Sequence, residues 1–260
     1  MRRLAAPRRA LARALVAGAV LASPLPAQAI DLCTDAKTTA NPVGTTKCPG
    51  VRPGALITVG GSRCTAGFLF VGSDRRRYLA TAGHCAYDPD PTTDRTDVWK
   101  AGTGPVAKDA DGKQIGRFAY ASMVGTWTDF ALIRLDNGVA SSPEMCHFGG
   151  PTGIATDVNT RDILVHHYGH GTGMQYLPAR TGDMFWGLYR TDYVFFYGAT
   201  STGDSGGPVT DEDGKAIGLV TDLTTPVTGN VGVNRLPPNI TAATKALRLR
   251  SLTLLTAPTR

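Results

Sequence analysis

The chain has 260 residues, and its 31 glycines and 17 prolines, with no sustained heptad pattern, favour short strands joined by turns over a helical bundle. Five of its 27 basic residues (Arg2, Arg3, Arg8, Arg9 and Arg13) lie in the first 29 positions, which hold none of the 21 acidic ones, so the formal charge of +6 falls to +1 for the rest. That near-neutral balance gives little support to a nucleic-acid or anionic-membrane partner, which requires a dense positive face, and neither is expected.

In chain order, residues 1–29 read as a secretory signal: a basic start, an apolar run from about Ala14 to Ala22, then Ala27-Gln28-Ala29, the small-x-small pattern cut by signal peptidase. The apolar run is far below the roughly 18 residues of a membrane span, so export without a membrane anchor is expected, with a secreted, extracellular product. Residues 30–53, rich in Thr, Pro and Gly, read as an irregular N-terminal arm. A first β unit spans 54–140, with strands expected at Ala55–Val59, Gly67–Val71, Tyr78–Ala82 and Phe130–Leu135. Asp111-Gly112 marks a hairpin, because Gly accepts the positive φ of a tight turn. A turn-rich connector (141–153) leads to a second β unit (154–238), with strands expected at Ile163–His167, Met184–Leu188, Tyr193–Tyr197, Pro208–Thr210 and Ala216–Thr221 and a hairpin at Asp213-Gly214. In the last segment (239–260), apolar residues at Ile240, Ala243, Ala246, Leu247 and Leu249 suggest an amphipathic helix over Ile240–Arg250.

Three segments carry chemistry. Thr81-Ala82-Gly83-His84-Cys85 ends a strand on a histidine, and Thr128-Asp129-Phe130-Ala131-Leu132 opens an apolar strand with a carboxylate. Gly203-Asp204-Ser205-Gly206-Gly207-Pro208 sets a hydroxyl in a glycine-rich turn where backbone N–H groups are uncovered. Taken singly, a lone His is more often structural, an Asp before a strand is commonly a cap, and a Ser among glycines is usually a turn. Together they supply what acyl transfer needs: a nucleophile, a base, an orienting acid and oxyanion donors.

In the order His…Asp…Ser, these motifs resemble those of the trypsin/chymotrypsin-like serine protease superfamily, in its bacterial secreted branch typified by α-lytic protease. The resemblance is sharp in the three motifs and extends by pattern from about Pro53 to about Leu247. It implies an all-β fold of two six-stranded antiparallel Greek-key barrels packed together, followed by a short C-terminal helix. It also implies that His84 is the general base, Asp129 its orienting carboxylate, Ser205 the nucleophile, and the N–H groups of Gly203 and Ser205 the oxyanion hole. A Cys64–Cys85 disulfide is implied beside His84. All five cysteines lie beyond the signal, where disulfides persist; Cys146 bridged to Cys33 or Cys48, or a local Cys33–Cys48 loop, are the remaining options.

Two departures matter. Family members place a cation on the Asp before the nucleophile, here Asp204. The bacterial branch uses an Arg in a Cys-Arg-x-Gly segment, and the local match, Val165–Gly173, puts His167 in the Arg position. A protonated His167 paired with Asp204 is therefore one expectation, and a solvent-facing strand His the other. The α-amine of Ile30 is a second candidate cation. At the base of the primary specificity pocket, where a trypsin has Asp, stands Ala199; the pocket wall matches Thr221-Asp222-Leu223. Small or medium apolar residues are therefore expected at the cleaved position.

The acidic loop of Asp88, Asp90, Asp94 and Asp97 reads as solvated, and the histidines show no zinc-binding spacing. No metal and no cofactor are expected. The partner expected is a polypeptide substrate, with the chain itself a monomer. A catalytically inactive protease-fold binding protein is the rival reading, kept open by the unconventional partner of Asp204. An esterase of the same mechanism is a third.

Overall fold

The computed structural model describes residues 50–87, 94–125, 128–156, 163–171, 179–185, 192–223 and 229–259. The expected signal and nearly all of the N-terminal arm lie outside these residues, as do Asp88 and Asp90 of the acidic loop. In chain order the strands of the first unit are β1 (Leu56–Val59), β2 (Ser62–Thr65), β3 (Leu69–Gly72), β4 (Arg77–Thr81), β5 (Arg95–Val98), β6 (Val106–Lys108), β7 (Gln114–Val124) and β8 (Thr128–Leu135). The second unit holds β9 (Gly153–Ile154), β10 (Ile163–Tyr168), β11 (Ala179–Phe185), β12 (Tyr193–Gly198), β13 (Pro208–Asp211), β14 (Lys215–Leu223) and β15 (Gly229–Arg235). A helix α1 (Leu236–Ala246) and a last strand β16 (Leu252–Leu254) complete the chain. Among the described residues no helix is long and apolar enough to cross a membrane.

The second unit closes as expected. Its strands form the ring β13-β10-β11-β12-β15-β14, shut by pairing of β13 with β14, and β9 adds in parallel outside β14. The first unit departs from a closed six-stranded ladder. Its eight strands and β16 form one nine-stranded sheet with an open path, β16-β3-β4-β8-β7-β6-β1-β2, with β5 on β7. β16 occupies the edge of β3, so β2 and β3 do not pair. Ala66 N–H to Ala55 O at 2.7 Å prolongs the β1–β2 ladder, Gly67 N–H to Ala80 O at 2.7 Å prolongs β3–β4, and the Thr81 hydroxyl donates to Thr65 O at 3.0 Å between the ends of β4 and β2.

Strand β8 shows why its sequence is a continuous apolar run. Successive side chains of a strand point to opposite faces, and both faces of β8 are covered. Ala131, Ile133 and Leu135 enter one core with Ile57, Leu69, Leu79 and Phe118. Phe130 and Leu132 enter a second core with Phe68, Phe70, Leu219, Leu236 and Ala243. That second core joins the first sheet to β14 and to α1. A third fills the closed barrel, with Val165, Phe196, Val209, Ile217, Val220 and Val233.

Both predicted hairpins form, with Gly112 and Gly214 at φ 77° and 75°. The helix starts four residues before the expected Ile240, with prolines in its first turn, where their missing N–H groups cost nothing. It stops at Ala246, and the tail beyond it returns as β16. β11 begins at Ala179, five residues before the strand expected from Met184, and residues 186–188 of that expectation lie outside the described residues.

Candidate active site

His84 sits in a single 3-10 turn, Gly83–Ala86, directly after β4. Because Thr81 pairs with Ala131, the turn comes level with the start of β8, where Asp129 stands. The approach is close enough to demand glycine at 83: a Cβ there would lie 2.4 Å from Ser122 O and 2.9 Å from Asp129 Oδ1. Asp129 then holds His84 at two points. Its Oδ1 accepts the His84 backbone N–H at 2.8 Å, and its Oδ2 lies 2.7 Å from His84 Nδ1. Facing a carboxylate, Nδ1 carries the proton, which leaves Nε2 with a lone pair. The two side chains keep 27% and 15% of their surface exposed, so the imidazole is open to one side. From the second unit, Asn234 Oδ1 accepts the Asp129 N–H at 3.0 Å, and Asn239 of α1 donates to that same oxygen at 3.1 Å.

Ser205 arrives from the other unit. Its turn is closed by Asp204 N–H to Ser201 O at 3.0 Å and Gly207 N–H to Asp204 O at 2.8 Å, with Gly203 at φ 103°. Among the described residues, the N–H groups of Gly203 and Ser205 find no backbone acceptor. Cys64 and Cys85 are disulfide-bonded. Their sulfurs lie within 4.8 Å of a His84 ring nitrogen, and Cys85 Sγ is 4.0 Å from Ser205 O. The imidazole and the Ser205 backbone therefore flank one disulfide. This is also the only grouping with metal-ligand spacing among the described residues, and both its sulfurs are spent in the disulfide. Cys146 is disulfide-bonded as well; its candidate partners, Cys33 and Cys48, lie outside the described residues.

The cation on Asp204 is Arg180, not His167. Arg180 Nη1 donates to Asp204 Oδ2 and Nη2 to Oδ1, each at 2.8 Å, while Ser201 and Gly171 N–H groups complete the two oxygens at 2.8 Å. Both side chains are almost wholly buried. Burial alone would raise the Asp204 carboxyl, but the Arg180 hydrogen bonds and charge outweigh it and hold the group below its ordinary value. Gly169 is required beside it, since a Cβ there would fall 2.2 Å from Asp204 Oδ1.

His167 stands directly across the β10–β11 ladder from Arg180. It is buried at 1% exposure, its ring 4.9 Å from that of Phe196, with Nε2 unpartnered. Burial first, and then the adjacent guanidinium, push its pKa down to about 3. A neutral imidazole cannot supply the charge, and the solvent-facing alternative fails equally.

The missed residue, Arg180, was detectable by parity. Met184 is an inward apolar position, and a strand begun earlier would put 182 and 180 on the same face. An arginine facing a core calls for a buried acid. Arg180 also donates to Ala199 O at 3.1 Å, so the expected pocket base hangs from the same guanidinium. Of the pocket wall, Thr221 lies at a β-bulge between β14 and β15 with its hydroxyl oxygen buried, while the Leu223 side chain lies outside the described residues.

The family model of the trypsin-like peptidase domain matches residues 65–219, whereas no curated protein matches the chain. Among solved structures, protease A of Thermobifida fusca is 18% identical, covering 79% of this chain and 98% of its own, with a TM-score of 0.56. A chymotrypsin from Cellulomonas bogoriensis is likewise 18% identical, over 79% and 98%, with a TM-score of 0.54. The protease of Nocardiopsis is 16% identical, over 78% and 98%, at 0.54. At such identities these three speak for the fold alone, while the family model spans both the His84 and the Ser205 motifs. The chain belongs to the trypsin-like peptidase domain family.

Proposed function

We propose that this protein is a secreted serine endopeptidase working through His84, Asp129 and Ser205, and that it acts as a monomer on polypeptide substrates. The observation that carries the reading is the two-point hold of Asp129 on His84, beside a Ser205 turn whose N–H groups have no backbone acceptor among the described residues.

With Nδ1–H directed at Asp129, His84 Nε2 accepts the Ser205 hydroxyl proton as Oγ attacks the substrate carbonyl carbon. The resulting oxyanion receives hydrogen bonds from Gly203 and Ser205 N–H. His84 returns the proton to the leaving amine, the C–N bond breaks, and an acyl-enzyme remains. Water, deprotonated by His84, then releases the acid and restores Ser205. Asp129 stabilises the imidazolium throughout without taking up its proton.

Ala199 at the pocket base, with Thr221 and Leu223 along its wall, supports cleavage after small or medium apolar residues rather than Lys or Arg. The basic, then apolar, start of the chain supports export. The inactive-binder alternative drew on the lack of a conventional partner for Asp204, and the buried Arg180–Asp204 pair supports the active reading instead.

The test is covalent. A fluorophosphonate probe should label Ser205 in the folded protein between pH 5 and 9. Ser205→Ala should lose labelling and lower turnover of an alanine-ending peptide substrate by about 10⁶-fold, the scale seen when a triad nucleophile is removed. Folded wild-type protein that takes up no probe would sink the reading.

A further inference from the structure

The halves of the site come from different units, so some group must set the distance between base and nucleophile. The last two residues of β2 stand at that junction. Cys64 is tied covalently to Cys85, the neighbour of His84. The next residue, Thr65, is fully buried and reaches the opposite way. Its N–H donates to Ser205 O at 2.8 Å. Its hydroxyl donates to Gly203 O at 2.8 Å and accepts the His170 N–H at 3.1 Å. Its own carbonyl accepts the Thr81 hydroxyl at 3.0 Å, which anchors it to β4.

We infer that Thr65 is a positioning residue for the Ser205 reaction, its hydroxyl anchoring the Gly203 carbonyl so that the Gly203 N–H stays aimed at the oxyanion; this rests on the serine-protease reading above. Gly203 lies at φ 103°, in a region that a glycine can leave at little cost. Its carbonyl belongs to the peptide that leads into Asp204 and its N–H to the peptide before, so holding that oxygen anchors the Cα about which the N–H turns and narrows its swing. Asp204 is pinned from the other end by Arg180 and two N–H groups. With one hydrogen bond given and one received, the Thr65 hydroxyl meets both Gly203 and the 170 segment. An aliphatic replacement of the same shape leaves a buried carbonyl and a buried N–H unpaired, and the loop gains a reason to turn.

The experiment compares Thr65→Val, which keeps the shape and removes the hydroxyl, with Thr65→Ser, which keeps the hydroxyl. Both are made in the full secreted chain. Three quantities are read: kcat and KM on an alanine-ending chromogenic peptide, and the inhibition constant of the matching peptide boronic acid, whose tetrahedral adduct needs the oxyanion donors. Thr65→Val should lower kcat by about 10- to 100-fold, less than outright loss of an oxyanion donor. Its boronate affinity should fall by a similar factor while KM changes little, and Thr65→Ser should restore both kcat and boronate affinity. Folded Thr65→Val with unchanged kcat and boronate affinity overturns the inference, as does a loss that Thr65→Ser does not restore. Thr65→Ala gives the same reading should the valine variant not fold. Wild-type protein that takes no fluorophosphonate would instead fell the protease reading, and this inference with it.

Discussion

Two aspartates dominate the site, and they are held in opposite ways. Asp129 keeps 15% of its side chain exposed and faces a titratable imidazole that itself stays 27% exposed. Asp204 is buried with Arg180 in a bidentate ion pair, each carboxylate oxygen accepting two hydrogen bonds. In the proposed mechanism Asp129 answers a proton moving on and off its partner, which calls for a partner of variable charge. A carboxylate that must keep a loop in a single conformation needs a partner whose charge never changes, and arginine is such a partner. The contrast explains why a histidine would serve poorly on Asp204. In the low dielectric beside another cation it loses its proton, as His167 does.

The comparison can be broken from either side. Asp129→Asn should cost the most activity, about 10⁴-fold in kcat on the scale known for this family's triad, with little change in thermal midpoint, read by turnover normalised to folded protein. Arg180→Gln should act mainly on the fold. Stranding the buried Asp204 charge should lower unfolding free energy by about 3–5 kcal/mol in urea titrations, with labelling of Ser205 lost alongside. If Asp129→Asn destabilised the protein more than Arg180→Gln, the division between the two carboxylates would collapse.

A smaller effect sharpens it through pH. His167 and His170 are both buried, and burial pushes their pKa values down to about 3 and about 4 from an ordinary 6.5. Unfolded, each takes a proton below 6.5; folded, each resists until its lowered value. Stability is therefore full above pH 6.5 and falls as acid is added, with close to two protons taken up on unfolding near pH 5. Below about 3.8 the depressed Asp204 carboxyl adds a loss of the same sign. Urea titrations between pH 4.5 and 7 should show this slope, and His167→Gln should reduce it by about one proton while leaving the Arg180–Asp204 pair intact. An unchanged slope would mean that His167 is already protonated in the native state.

Legibility in the sequence followed the apolar pattern. β8, β12, β13 and β14 read as strands because their apolar residues are contiguous. β7, eleven residues long, did not, although Ile115, Phe118, Ala119, Tyr120 and Ala121 are all buried. A register shift between Phe118 and Tyr120 flips its parity midway, and polar ends reach the surface. β15, Gly-Asn-Val-Gly-Val-Asn-Arg, has poor strand composition because its glycines meet neighbours: a Cβ at Gly232 would lie 1.7 Å from the Tyr193 hydroxyl. β16 carries only Leu252 and Leu254 as signal, and its partner β3 lies 180 residues earlier. Arg180 was missed because its strand was begun at Met184.

What the sequence by itself determined was the chemistry available: an imidazole, a carboxylate and a hydroxyl in three short motifs, and a cysteine beside the base. Those are local patterns, set by turn residues and apolar neighbours within a few positions. Which cation meets Asp204, why the first sheet stays open with β16 on the edge of β3, and what ties Ser205 to β2 were decided only by tertiary structure. Each depends on which strand lies beside which, and ladder register is set by burial summed over the whole fold rather than by any one segment. Arg180 and His167 are 13 residues apart in the chain yet face each other across a single ladder step.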